Sequence, residues 1–268
     1  MRVHVDVFQA IVLGFVQGVT EFLPISSRAH LILVPWLFGW PDPGLTFDVA
    51  LHLGTLAALL IYFYKDWLRL LMSALRLWKG ETQDPDTRLA FHIIVATIPA
   101  GVAGVLLGEL NDQLGTPKVI GVALIGVAVL MRLAEVRGRR KTELLEMTLS
   151  DAVTIGVAQA FALIPGVSRS GVTITAGLFR GLTRKAAAQY SFLLSAPIVG
   201  GAVTKTLFDI SKRGLPSGDM LPFVLGILTS AFFGFVSIAA LMRYLQTRST
   251  FVFINYRMVL GICLLAFS

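Results

Sequence analysis

Long apolar runs, separated by short polar segments, set the plan of this chain. Residues 46–64, 92–110, 118–133, 186–207, 221–244 and 251–267 read as membrane spans, since about 20 apolar residues cross a bilayer core. Two further apolar stretches are interrupted. Residues 7–23 carry Gln9, Gln17 and Glu21 and run into Pro24, which removes a backbone donor and breaks a helix. A short helix fits from about Ser26 to Phe38, stopped by Gly39 and Pro41. Residues 150–164 end in the same way at Pro165-Gly166, and a short helix fits from about Ser168 to Phe179. Halves this short favour re-entrant hairpins, which enter and leave on one side. Between 66 and 91, Leu68, Leu71, Leu75 and Trp78 recur at helical spacing and predict an amphipathic helix. Asn111–Pro117 predicts a tight turn.

The two interrupted stretches echo each other. Gly14-x-x-Gln17 followed by Pro24-x-Ser26 returns as Gly156-x-x-Gln159 followed by Pro165-x-x-Ser168, and three spans follow each. An odd number of crossings puts the second hairpin on the opposite face, which is an inverted-topology repeat. The expected fold is therefore an all-α polytopic membrane protein with six transmembrane helices and two re-entrant helical hairpins. It forms one membrane domain over 1–268, with repeat 1 at about 1–135 and repeat 2 at about 147–268.

Composition agrees with a bilayer setting. Apolar residues make up 55% and charged residues 15% of the chain, and mean hydropathy is +0.76, against about 25% charged in soluble domains. The net charge of +7 does not point to nucleic acid, because the basic residues gather in short loops. One side has five Lys or Arg in 65–91, five in 132–141, three in 180–185 and two in 243–248. The other has Arg2, Arg28, Lys118, Lys205, Lys212 and Arg213. By the positive-inside rule, both termini and the mouth of the first hairpin face outward, toward the periplasm or exterior. The N-terminus lacks a basic n-region and a cleavage site, and is expected to be retained. Cys263 stands alone and reads as a small hydrophobe.

Candidate chemistry lies in the two breaks. Polar groups at membrane depth are costly and mark function by default. In the second break, Ser168, Arg169, Ser170 and Thr173 stand among glycines at a helix start, where free N–H groups and a guanidinium suit an anion, above all phosphate. In the first, Gln17 and Glu21 share a helix face, and Glu21 suits a hard divalent cation. Ser26 or Ser27 can face His30, four or three residues on, so that a serine nucleophile has a base or acid partner. His4, His52 and His92 read as satisfied or interfacial.

Gly18-Val-Thr-Glu21-Phe-Leu-Pro24-Ile-Ser26-Ser27-x-x-His30, together with Pro165-Gly-x-Ser168-Arg169-Ser170-Gly-x-Thr173, resembles the bacterial undecaprenyl-diphosphate phosphatase (bacitracin-resistance) family over essentially the whole length. The resemblance implies hydrolysis of the C55 diphosphate lipid to the monophosphate at the outer face of the bacterial inner membrane. That recycles the carrier for cell-wall synthesis and confers bacitracin resistance. It implies Mg2+ or Ca2+, with Glu21 as the metal residue, and a homodimer. Carried over by position, Glu21, Ser27, His30 and Arg169 are catalytic, and Ser168, Ser170 and Thr173 fall on the phosphate signature. Ser26 joins the substrate-binding set. Gln17 departs from the second Glu of many members and reads as an orienting amide. Arg28 replaces a small or polar residue and offers a further phosphate contact. Nucleophilic attack by Ser27, through a phosphoserine, and direct attack by water both fit. A polyprenyl-phosphate flippase is the alternative from another class, but a carrier needs no nucleophile. The other lipid-phosphatase superfamily needs a second-half His, and none follows Arg169.

Overall fold

A computed structural model describes residues 5–78, 84–107, 114–213 and 220–267. His4 and the first part of the predicted turn Asn111–Pro117 lie outside the described residues. The described residues are almost wholly helical, and several helices begin where the sequence supplies a cap. Helix α1 (Val7–Thr20) starts with a capping box in which Asp6 accepts from the Gln9 backbone and Gln9 reaches back to the Asp6 N–H. It ends one turn before Pro24. Helix α2 (Ser27–Phe38) stops at Gly39, whose φ of 64° is the left-handed conformation that glycine adopts freely. Helices α3 (Leu45–Tyr62) and α4 (Tyr64–Trp78) follow. Leu68, Leu71 and Leu75 form an exposed apolar stripe along α4, the amphipathic helix predicted there.

Helix α5 (Pro85–Leu107) begins seven residues before the predicted span. Pro85 sits at its first position, where the missing N–H costs nothing, and the Asp84 carboxylate accepts from both the N–H and the hydroxyl of Thr87. Those local signals extend the helix past its apolar part. Helix α6 spans Pro117–Arg137. The second half opens with α7 (Leu149–Ala160), capped by a Thr148/Asp151 box, and a single 3-10 turn at Phe161–Leu163. Helices α8 (Arg169–Phe179), α9 (Arg184–Arg213), α10 (Met220–Tyr244) and α11 (Phe251–Phe267) complete the described chain.

Five of these helices (α3, α5, α6, α9 and α10) are both long and apolar enough to cross a membrane. Helix α11, predicted as a sixth span, is apolar but has 17 residues. At 1.5 Å per residue it is about 25 Å long, a little short of a ~30 Å hydrocarbon core.

Close packing depends on glycine where helices cross. A Cβ on Gly14 of α1 would lie 2.6 Å from the Gly226 carbonyl oxygen of α10, and one on Gly156 of α7 would lie 2.6 Å from that of Ala96 in α5. Small residues let backbones approach this closely in membranes. Around these crossings α3 packs on α10 and α9, and α6 packs on α11. At one end of the bundle, Glu135 of α6 gathers Arg140, Arg184 and Thr250, while Arg180 Nε donates to Asp151 over 2.6 Å. These charges hold the helix ends and lie apart from the breaks.

Candidate active site

Ser26 and Ser168, the caps of α2 and α8, have φ of 78° and 68°. Among the described residues Arg140 is the one other non-glycine with positive φ. Such backbone is unfavourable for a side chain with a Cβ and collects at functional sites. Each serine turns its hydroxyl onto the N–H three residues on, Ala29 at 3.4 Å and Gly171 at 3.1 Å. Two helix N-termini are thereby aimed into the protein interior, carrying Ser27 and Arg169 at their first positions.

Glu21, 8% exposed, joins the two breaks. Its Oε2 accepts from Ser27 Oγ at 2.5 Å and from Gln17 Nε2 at 3.0 Å. Its Oε1 accepts from Arg169 Nη2 at 2.5 Å, across 148 residues of sequence. A second tie runs beside it: Ser168 Oγ donates to Ser170 Oγ (3.2 Å), which donates to the Leu23 carbonyl (3.0 Å). Ser26, Ser27, Arg28, Ser168, Arg169 and Glu21 line one cavity of about 300 Å³. Among the described residues one N–H of the Arg169 fork is committed, so others remain to meet phosphate oxygens.

Other predicted residues fall elsewhere. His30 does not partner either serine hydroxyl. Its Nδ1 donates to the Ser26 carbonyl at 2.7 Å, which makes Nε2 the acceptor for the Tyr256 hydroxyl at 2.6 Å, with the two rings stacked. The four-residue spacing that aligns His30 with Ser26 brings the ring to the backbone oxygen, and the hydroxyl is already spent on capping. Thr173 sits behind the cavity wall: its hydroxyl donates to the Arg169 carbonyl (2.7 Å) and accepts from Ser191 (2.6 Å). Gln17 and Ser170 are likewise buried supports.

His52, read from the sequence as satisfied or interfacial, is satisfied by a backbone carbonyl and also stands at the cavity wall. Its Nδ1 donates to the Asp48 carbonyl (2.8 Å), and Nε2 lies 3.7 Å from Glu21 Oε2. Asp48 joins it there, with Oδ1 buried and unpartnered. Asp48 is the one carboxylate in the first predicted span, and that was the available signal.

Arg257 of α11 also escaped sequence analysis. It is wholly buried and has no carboxylate partner among the described residues, and its guanidinium donates to five carbonyls. Three belong to the breaks: Pro24 at 3.1 Å, Gly166 at 2.8 Å and Val167 at 3.1 Å. It is the sole charge in its apolar helix, which is the sequence signal for it. Arg257→Leu strands these carbonyls. The expected loss is about 3 kcal/mol or more of unfolding free energy, read by thermal melting in detergent. An unchanged melting temperature would show that the breaks hold without it.

For a hard divalent cation the donors fit. Among the described residues no three His, Cys, Asp or Glu side chains form a protein-only cage. Mg2+ asks for less, namely one or two carboxylates with substrate oxygens and water. Glu21 and the unpartnered Asp48 Oδ1 provide that on one cavity.

Fold and site together define a multi-pass helical membrane protein with a hydroxyl–carboxylate–guanidinium cluster where two broken helices meet. The chain belongs to the bacitracin resistance protein BacA family, whose profile matches residues 10–263. It is similar to the undecaprenyl-diphosphatase of Geobacter metallireducens, at 46% identity over 260 residues (96% of this chain, 97% of the relative). It is also similar to those of Geotalea daltonii, 47% over 267 residues and 98% of each chain, and Moorella thermoacetica, 46% over 262 residues and 97% of each.

Proposed function

We propose that this protein hydrolyses undecaprenyl diphosphate to undecaprenyl phosphate and inorganic phosphate, with Ser27 as nucleophile and Glu21 as its base. The observation that carries the reading is the Glu21 carboxylate, which accepts from Ser27 on one oxygen and Arg169 on the other. Ser27 Oγ attacks the terminal phosphorus, its proton passes to Glu21, and the P–O bond to the lipid monophosphate breaks. Glu21 gives that proton up to the departing lipid phosphate. Water then attacks the phosphoserine and passes its proton to Glu21, which returns it to Ser27 Oγ as the bond between Oγ and phosphorus breaks and inorganic phosphate leaves. Arg169 and the N–H groups at the starts of α2 and α8 stabilise charge on the phosphoryl oxygens, which carries most of the rate in phosphoryl transfer. Glu21 and Asp48 would hold Mg2+ or Ca2+, which neutralises the diphosphate. His30, braced by Tyr256, orients the first turn of α2 rather than the serine hydroxyl.

The inverted repeat is part of this reading. A constant step of 142 residues relates Gly14 to Gly156, Gln17 to Gln159, Ser26 to Ser168 and the start of α2 to that of α8. The helix contacts obey the same operation, since α1 on α10 corresponds to α7 on α5, and α3 on α9 and α6 on α11 map onto themselves. Re-entrant hairpins α1–α2 and α7–α8 and a sixth span at α11 complete the proposed architecture, and the distribution of basic loops supports a site that opens toward the outer face. A lateral cavity of about 850 Å³ between α6, α7 and α8 is the seat for the prenyl tail. It shares Ile164 with the polar cavity, and among the described residues its lining is apolar apart from Lys118 and from Thr154 and Thr175, which bond to their own helices.

Purified protein releases phosphate from the C55 diphosphate with Mg2+ present, and a chelator lowers the rate at least tenfold. Wild-type protein that releases none, with or without metal, would overturn the reading.

A further inference from the structure

Few buried side-chain atoms in the described residues lack a hydrogen-bond partner, and both amide atoms of Gln159 are among them. Gln159 is 2% exposed, lies in the last turn of α7, and lines the same cavity as Glu21, Ser27, Ser168 and Arg169. Native interiors leave very few such groups, and each one calls for a ligand, ion or water.

Its repeat partner explains how this arises. Gln17 spends its amide N–H on Glu21, four residues on. The same step from Gln159 reaches Leu163, so the second half offers no carboxylate, and where the first half has Ser27 the second has Arg169. One repeat thus supplies the nucleophile and its base. The other presents a guanidinium that spends one N–H on Glu21 and a neutral donor that has no partner among the described residues. Both donors face one cavity.

We propose that Gln159 is a substrate-binding residue whose carboxamide N–H donates to a phosphate oxygen of the diphosphate, beside Arg169. The proposal rests on the phosphatase reading of the site and extends it to a residue outside the two signature segments. A carboxamide suits this place: it donates without adding a charge that would hold the inorganic phosphate product.

The test uses the full chain in detergent, comparing wild type with Gln159→Met, which keeps the volume and removes the polar atoms. The two readouts are phosphate release from farnesyl diphosphate and thermal melting with or without its non-hydrolysable methylene-diphosphonate analogue. Loss of a donor to a charged oxygen lowers kcat/KM by about tenfold to a hundredfold and shrinks the melting shift given by the analogue. The ligand-free variant melts at or above the wild-type temperature, because an unpartnered amide has been removed from the interior. A kcat/KM within threefold of wild type would overturn the proposal, as would a fall in ligand-free melting temperature that accounts for the lost activity. If wild type binds the analogue through Gln159 but releases no phosphate, the binding role stands and the phosphatase reading falls. If wild type neither binds nor hydrolyses, both fall.

Discussion

Ser27→Ala lowers phosphate release by at least about a thousandfold, some 4 kcal/mol of transition-state stabilisation, while the protein still binds the diphosphate lipid. The expectation follows from position. Ser27 opens α2, its Oγ is 2.5 Å from a carboxylate oxygen, and it lines the cavity that Arg169 also lines. An alanine leaves the helix cap untouched, since Ser26 makes that bond. Single-turnover assays with phosphorus-labelled substrate give the sharper reading: wild type forms a protein-bound phosphoryl group and the variant does not. Activity in Ser27→Ala close to wild type would remove the phosphoserine and leave water, activated by Glu21, as the nucleophile.

Glu21→Gln produces a loss of similar size for two reasons that can be separated. The amide cannot accept the serine proton, and a positioned base contributes about a hundredfold to ten-thousandfold. It also replaces one carboxylate oxygen with a donor, facing either Arg169 or Ser27 and Gln17, all of which donate in the wild type. Arg169 then stays partly buried beside a neutral group, which costs about 1 kcal/mol or more of stability. The variant should therefore melt earlier as well as turn over slowly, whereas Ser27→Ala should melt near wild type. A Glu21→Gln protein with normal melting and a normal rate would remove Glu21 from both roles.

The second break has a physical role in this arrangement. Arg169 and Glu21 are each too costly to bury alone, and each satisfies the other only when both breaks reach the same depth. Arg257, threaded from α11 between them, ties the loose carbonyls that helix breaks leave behind.

Much of the fold was legible in order and type. Pro24 and Pro165-Gly166 marked breaks that the helices respect, and the apolar runs located α3, α6, α9, α10 and α11 to within a few residues. The start of α5 was not, because Asp84 and Pro85 are capping signals in a polar segment where hydrophobic patterning is silent. Within the site, the partner of Ser27 is not legible from spacing. Spacing along one helix put His30 in reach, yet the hydroxyl turned to Glu21, which precedes the break and whose direction depends on how the chain reverses there.

By itself the sequence determined the membrane setting, the two broken helices and the residue types that chemistry requires, since these depend on composition and local backbone preference. Only the tertiary structure decided which of those residues meet. The carboxylate at 21 finds the guanidinium at 169, Asp48 and His52 become part of the wall, and Arg257 and Gln159 emerge as interior polar groups. The reason is that burial makes a polar group's partners obligatory, and partners far apart in the chain are chosen by how the helices pack.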